Sequence, residues 1–299
     1  MTYLSSLDDI EYIEPNNVYK AAILPSVAQP KPYSPREIKP AVQRRKSSFS
    51  KRNIFTQVNV PSWGIARINR RDHYDLSSYT SDDLAGNGIH VYVFDTGIDV
   101  NHPDFGGRAS MEVSFIDYED DIDHAGHGTH VAGTIGGNSY GVAKNTFLHG
   151  VKILDRNGDG STASLIQDHG IPVFVSAGNS GDDACSYSPA ANPDVFAVGA
   201  SNQDDVVPDF SSYGECVRLY APGTDITSAW LGDKTHTMDG TSMANPHVTG
   251  IAAMLMSEYE FHSPSEVYEA LMSIATHNSL TSPKDQGRDA LLAYNGADR

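Results

Sequence analysis

Basic residues are scarce in this chain. Lys and Arg together number 21 against 38 Asp and Glu, a formal net charge of -17, which argues against a nucleic-acid surface and for solubility. Apolar runs are short, and none approaches the length of a membrane span, so no membrane partner is expected. Cysteine is nearly absent. Cys185 and Cys216 are either two free buried thiols or one bridge, and their spacing alone does not decide. Met1-Thr2-Tyr3-Leu4 is not followed by a cationic segment and an apolar core, so no signal peptide is visible. The protein is then either cytosolic or starts natively upstream. What the chain does have is length, 299 residues, enough for one main domain and a smaller appendage.

Residues 1–24 carry an alternating stretch, Ile10-Glu11-Tyr12-Ile13-Glu14-Pro15-Asn16, that reads as a strand ending in a turn, with Val18-Tyr19-Lys20 after it. Residues 25–60 hold Pro25, Pro30, Pro32, Pro35 and Pro40, few apolar positions, and the basic clusters Arg44-Arg45-Lys46 and Lys51-Arg52. This is an exposed linker, whose dibasic pairs are either processing sites or a solvated basic run. A compact domain, 61–299, begins near Pro61-Ser62-Trp63-Gly64-Ile65. Apolar runs at 90–94, 150–154, 171–175, 196–198 and 217–220 read as strands, the first of them buried. Helices are expected from His127, over 161–169 closed by Gly170, over 243–256, and over 267–275 behind the capping box Ser263-Pro264-Ser265-Glu266. Strands alternating with helices predict an α/β fold, a mostly parallel sheet with helices on both faces. The hexamer Asp155-Arg156-Asn157-Gly158-Asp159-Gly160 imitates the start of a calcium loop. Its twelfth position is Ile166, where a bidentate Glu is needed, so it reads as a turn.

Three places combine small residues with a reactive side chain. Gly240-Thr241-Ser242-Met243-Ala244 sets a serine on a tight turn before a helix that is apolar on nearly every face. Pro246 lacks an N–H, which places the helix start close to Ser242. There, free backbone N–H groups favour developing negative charge and suit acyl transfer; the alternative is an ordinary N-cap serine. Asp95-Thr96-Gly97-Ile98 delivers an aspartate at the carboxyl end of a strand, where ligands gather in open α/β sheets, unless it is a plain Asx-turn. His127-Gly128-Thr129-His130-Val131 opens a tightly packed helix. His127 and His130 are three apart, but no carboxylate or third histidine lies at a zinc spacing, so neither a metal nor another cofactor is expected. Asp95, His127 and Ser242 are together the parts of an orienting group, a base and a nucleophile.

In that order, these blocks resemble the signatures of subtilisin-like serine proteases (peptidase family S8), and in particular the secreted branch containing proteinase K and aqualysin. The likeness runs from Trp63-Gly64-Ile65 to Leu291-Leu292-Ala293-Tyr294-Asn295. It implies a three-layer subtilisin-like fold and a serine endopeptidase working through an acyl-enzyme, with Ser242 attacking, His127 carrying the proton and Asp95 orienting His127. Asn179, in Ala177-Gly178-Asn179, would join the backbone N–H of Ser242 in an oxyanion hole, and Ser176, Ala177 and Gly178 would line the substrate. The resemblance further implies a Cys185–Cys216 disulfide, secretion, and a monomer acting on protein or peptide substrates with apolar or aromatic residues before the cut. Residues 1–24 would be the end of an inhibitory propeptide whose earlier part is missing, with the maturation cut within 41–60.

Two departures from the family pattern follow. Fifty-two positions separate His127 from Asn179, and about forty residues are expected to be absent there, one crossover unit and more. By resemblance the missing strand lies between those bearing Asp95 and Asn179 and walls the primary specificity pocket, so the central sheet is expected to lack one strand. An inactive homologue or an incomplete gene product is therefore the alternative reading. The second departure is Arg218, which stands where proteinase K-like enzymes place a calcium-binding carboxylate beside carbonyls matching Pro193 and Val195. A cation in that position removes the site.

Overall fold

The computed structural model describes residues 18–20, 53–71, 75–161, 170–282, 284 and 289–297. The strand expected at 10–16 and positions 162–169 of the helix expected at 161–169 lie outside them.

Six parallel strands form the centre of the α/β fold, in two groups of three. β4 (His90–Asp95) and β5 (Ala109–Ser114) flank β6 (Phe147–Lys152), while β8 (Phe174–Ser176) and β10 (Val217–Pro222) flank β9 (Phe196–Ser201). Among the described residues, neither β4 nor β8 pairs with a strand on its second edge. The central sheet is thus two half-sheets. The Ile89 carbonyl accepts from Phe147 N at 2.9 Å and the Asp95 carbonyl from Ile153 N at 2.9 Å. Strand alternation therefore turns the amides of Tyr92 and Phe94 toward the open edge.

The expectation of a buried β4 holds for one face only. Val93 is buried, but Tyr92 and Phe94 are 53% and 42% exposed. An unbroken apolar run reads as a strand covered on both faces; here α2 (His127–Gly136) covers one, and nothing described covers the other. β9, by contrast, is buried at every position.

α3 (Thr241–Glu258) lies against β8, β9, β10 and α2. Its Val248, Ile251 and Leu255 meet Phe196, Val198 and Leu219 of the second half-sheet, together with Leu271 and Ile274 of α4 (Pro264–Ile274). Met243, from its first turn, instead joins Val93, Val131, Ile135 and Leu148 in the core of the first half-sheet. One helix thus contributes to both cores, which is why it is apolar on nearly every side. α3 starts at Thr241, next to Ser242, and Pro246 stands at its sixth position, beyond the first turn. Having no N–H, it cannot donate to the Ser242 carbonyl four residues earlier.

The ends of α4 follow the capping pattern. Ser263 Oγ accepts from Glu266 N at 3.4 Å, and Glu266 Oε2 accepts in turn from His262 N at 2.8 Å, one residue upstream of the usual reciprocal donor. Asp155 Oδ1 accepts from Asn157 N at 2.8 Å and Asp159 N at 3.0 Å, which makes 155–159 the expected turn.

Shorter elements complete the domain. β2 (Ile54–Val58) and β3 (Ser78–Asp82) form one antiparallel pair, β11 (Ile226–Trp230) and β12 (Lys234–Met238) another, and α1 (Trp63–Ile68) packs against β3, β10 and α3. β1 (Val18–Lys20), from the region ahead of the domain, lies antiparallel on β7 (Asp159–Ser161), with Tyr19 opposite Gly160. Cys185 and Cys216 are bridged, with Cα atoms 5.3 Å apart.

Candidate active site

Asp95 is the last residue of β4, and its carboxylate is held from two sides. Oδ1 accepts from Thr96 N at 2.7 Å, while both oxygens meet His127 Nδ1, at 2.7 and 2.9 Å. His127 is the first residue of α2 and is 2% exposed. The two can meet because α2 comes very close to the loop after β4. A Cβ on Gly128 would lie 2.0 Å from the Gly97 carbonyl oxygen, so only glycine fits. Burial alone would lower the His127 pKa, but the charge of Asp95, its hydrogen bond and the charge of Asp123 together raise it. His127 Nε2 has no hydrogen-bond partner. The result is a buried imidazole with its proton fixed on Nδ1 by a carboxylate and its other nitrogen available.

Ser242 is the second residue of α3, after the N-cap Gly240 and Thr241. Gly240, at φ 147 and ψ 161, takes a backbone conformation that a side chain would strain, and this delivers the serine at the helix start. The Met243 N–H turns back to the Gly240 carbonyl at 3.0 Å. Ser242 is 9% exposed.

The segment 176–179 leaves β8 and runs to the same helix end. Ala177 N donates to Val198 O at 2.9 Å, and the Gly178 carbonyl accepts from Ser212 N at 2.9 Å. Asn179 Oδ1 accepts from both Thr241 N, at 2.9 Å, and Thr241 Oγ1, at 2.8 Å, and the same hydroxyl accepts from Gly178 N at 3.3 Å. The carboxamide oxygen is thus fixed on Thr241, which turns Nδ2 away from it. Gly178 and Asn179 are therefore held at the N-terminus of α3, with Ser176 and Ala177 leading into them from β8.

His127 and His130 do not act together. His130 Nε2 lies 3.0 Å from Ile226 O and 3.1 Å from His236 O, and burial pushes its pKa down to about 3. Among the described residues, no group of three or more His, Cys, Asp or Glu is arranged to hold a metal ion. Arg218 Nη2 donates to Pro193 O at 3.0 Å, so a guanidinium already occupies one of the carbonyls considered as a calcium ligand.

A family model, the subtilase family, matches residues 86–170 and 164–294. The chain belongs to the subtilase family. Its fold is the three-layer subtilisin-like α/β fold and its enzyme class is serine endopeptidase. It is 36% identical to subtilisin-like protease 6 of Trichophyton equinum, over 98% of this chain and 75% of the relative. It is also 39% identical to the alkaline serine protease ver112 of Corniculantispora psalliotae, over 82% of this chain and 73% of the relative. A crystal structure of a cold adapted subtilisin-like serine proteinase superposes with a TM-score of 0.71 at 36% identity, covering 79% of this subtilase and 98% of the other chain. The Trichophyton alignment runs over 339 positions against 299 residues in this subtilase, so at least forty positions of the relative have no counterpart here. The two matched segments of the family model meet at 164–170, between β7 and β8.

Sequence reasoning missed Thr241, Thr96 and Asp123. Thr241 opens α3, and its hydroxyl bonds Gly178 and Asn179, partners more than sixty residues away that its sequence neighbours do not reveal. Asp123, a short acidic side chain three residues ahead of the N-cap Gly126 of α2, is the signal of a helix N-terminus that the sequence does carry.

Proposed function

We propose that this subtilase is a secreted-type endopeptidase made as a proprotein, hydrolysing peptide bonds with Asp95, His127 and Ser242. The buried Asp95–His127 pair with its available Nε2 carries this reading. Ser242 Oγ attacks the scissile carbonyl and forms the acyl-enzyme as His127 Nε2 takes the hydroxyl proton. The imidazolium is stabilised by Asp95 and gives that proton to the leaving amine. Water then repeats the sequence and frees Ser242. Asn179 Nδ2 and the backbone N–H of Ser242 receive the oxyanion at the start of α3. Residues 176–178 line the substrate, which is a protein or peptide with an apolar or aromatic residue before the cut.

Residues 1–24 are assigned as the end of an inhibitory propeptide, 25–60 as a linker holding the maturation cut within 41–60, and 61–299 as the peptidase domain. The antiparallel seat of Val18–Lys20 on β7 supports this order, since an extended segment ahead of the domain lies as a peptide strand on an edge that follows β6. The mature enzyme is a monomer acting outside the cell.

A second reading is favoured by a specific observation. β4 and β8 each keep an unpaired edge, and at least forty positions of a relative are missing here. Both support an inactive homologue or an incomplete gene product. Labelling of the purified chain with a fluorophosphonate serine-hydrolase probe, beside Ser242→Ala, separates the two. Labelling of the unmutated chain alone supports the protease. Absence of labelling from folded, linker-cleaved protein sinks it in favour of the second reading.

A further inference from the structure

Asp123 is 2% exposed and no part of the chemistry proposed above uses it. Five donors converge on its carboxylate. Oδ1 accepts from Thr96 Oγ1 at 2.9 Å, Gly126 N at 2.8 Å and Ala125 N at 3.1 Å; Oδ2 accepts from Thr129 N at 3.0 Å and Thr129 Oγ1 at 2.6 Å. A protonated or amide side chain would set a donor against donors, so this environment selects the carboxylate anion.

The donors come from two different elements. Thr96 follows Asp95 in the chain, at the end of β4, whereas Gly126 is the N-cap of α2 and Thr129 lies in its first turn. Gly126 has no side chain to cap with, and Asp123 takes over that role from three residues upstream. The network closes on itself. Thr96 Oγ1 also accepts from Gly128 N at 3.0 Å, and Thr129 Oγ1 accepts from Asp99 N at 2.8 Å. Lys152 Nζ donates to the Thr96 carbonyl at 2.8 Å. The residue after Asp95 and the first turn of the helix bearing His127 are therefore pinned to one buried anion.

We propose that Asp123 is a positioning residue of the site, a second buried carboxylate that locks α2 onto the end of β4 and adds negative charge behind His127. This rests on the reading of His127 as the catalytic base. Asp95 holds the imidazole directly; Asp123 holds the two elements that bring Asp95 and His127 together. Its charge favours the imidazolium without touching the ring, and it sits at the positive end of the α2 dipole, where an anion is stable.

The test reads His127 by NMR, independently of turnover, through its pH titration and the low-field resonance of its Nδ1 proton in the bond to Asp95. Asp123→Asn should move the His127 pKa down by about half a unit to one unit, a smaller fall than that of Asp95→Asn. Where Asp123→Asn does not fold, Thr96→Val keeps the anion and the helix cap but cuts the link to β4. It should broaden or abolish the low-field resonance, and Thr96→Ser should restore it. An unchanged His127 pKa in folded Asp123→Asn, or an unchanged resonance in Thr96→Val, overturns the proposal. Failure of the protease reading shows separately, as absence of fluorophosphonate labelling in a chain whose His127 titration is intact.

Discussion

At Asn179 an alanine removes the Nδ2 donor together with the Oδ1 that accepts from Thr241 N and Oγ1, so the loss falls at the start of α3. Asn179→Ala is expected to lower kcat by about a hundred- to a thousandfold with KM little altered, measured on a small apolar peptide substrate. His127 supplies a second test at this scale. As the proposed base it works only when neutral, and its pKa is raised against burial by Asp95 and Asp123. The rate should therefore climb with pH through a midpoint above the ordinary histidine value of about 6.5, and a pH profile of kcat/KM with its midpoint below that value would contradict the assigned environment. How well these residues could be read from sequence depended on how local their surroundings are. Ser242 and His127 were legible because each lies in the first turn of a helix with a glycine one or two residues ahead of it. Asp123 was not, since one of its two sets of partners, at Thr96, is twenty-seven residues away in the chain and reaches it only through the tertiary packing of α2 on β4.

The two half-sheets differ from the sheet that pattern reading suggests, and β4 shows why. Val91, Tyr92, Val93 and Phe94 are apolar at successive positions, the mark of a strand covered on both faces. Whether a cover exists depends on residues elsewhere, and here the alignment to a relative leaves at least forty positions without a counterpart. Strand existence was legible, as was the direction of α4, whose start is fixed by Ser263, Pro264 and Glu266 within one turn. The open edges of β4 and β8 were legible only through the family resemblance, which places the missing strand between those bearing Asp95 and Asn179. Hydrogen exchange tests this element directly. The amides of Tyr92 and Phe94 should exchange much faster than those of Val91 and Val93, although all four lie in one strand, because only the latter face β6. Equal protection across the four would show that the open edge is covered in solution.

For the molecule as a whole, acid should be destabilising through two buried histidines. His130 and His247 have pKa values pushed down to about 3 and about 4, chiefly by burial, against about 6.5 in the unfolded chain. A depressed histidine leaves the unfolded state binding more protons, so the stability it allows is complete above about pH 6.5 and falls as pH drops toward the folded value. The loss is about 1.4 kcal/mol per pH unit for each residue. His127, with its raised pKa, acts in the opposite sense, adding stability that is full below about pH 6.5 and lost as pH rises through its folded value. Urea unfolding at pH 7 and pH 5.5 checks the balance, and a midpoint that does not fall at the lower pH would count against it. Reduction of the Cys185–Cys216 bridge, which closes a separation of 31 positions, should remove about 3 kcal/mol by the chain-entropy model.

The halves of the sheet also divide the chemistry between them. Asp95 and His127 ride on one plate, β4 with α2, while Asn179 and Ser242 ride on the other, β8 with α3. Across the site the plates meet through the contact of α2 with α3, and among the described residues no strand of one pairs with a strand of the other. In the proposed mechanism the distance from His127 to Ser242 is therefore a hinge coordinate. Heat or pressure that slides one helix along the other would misalign the site while each plate kept its own hydrogen bonds, so inactivation should precede unfolding.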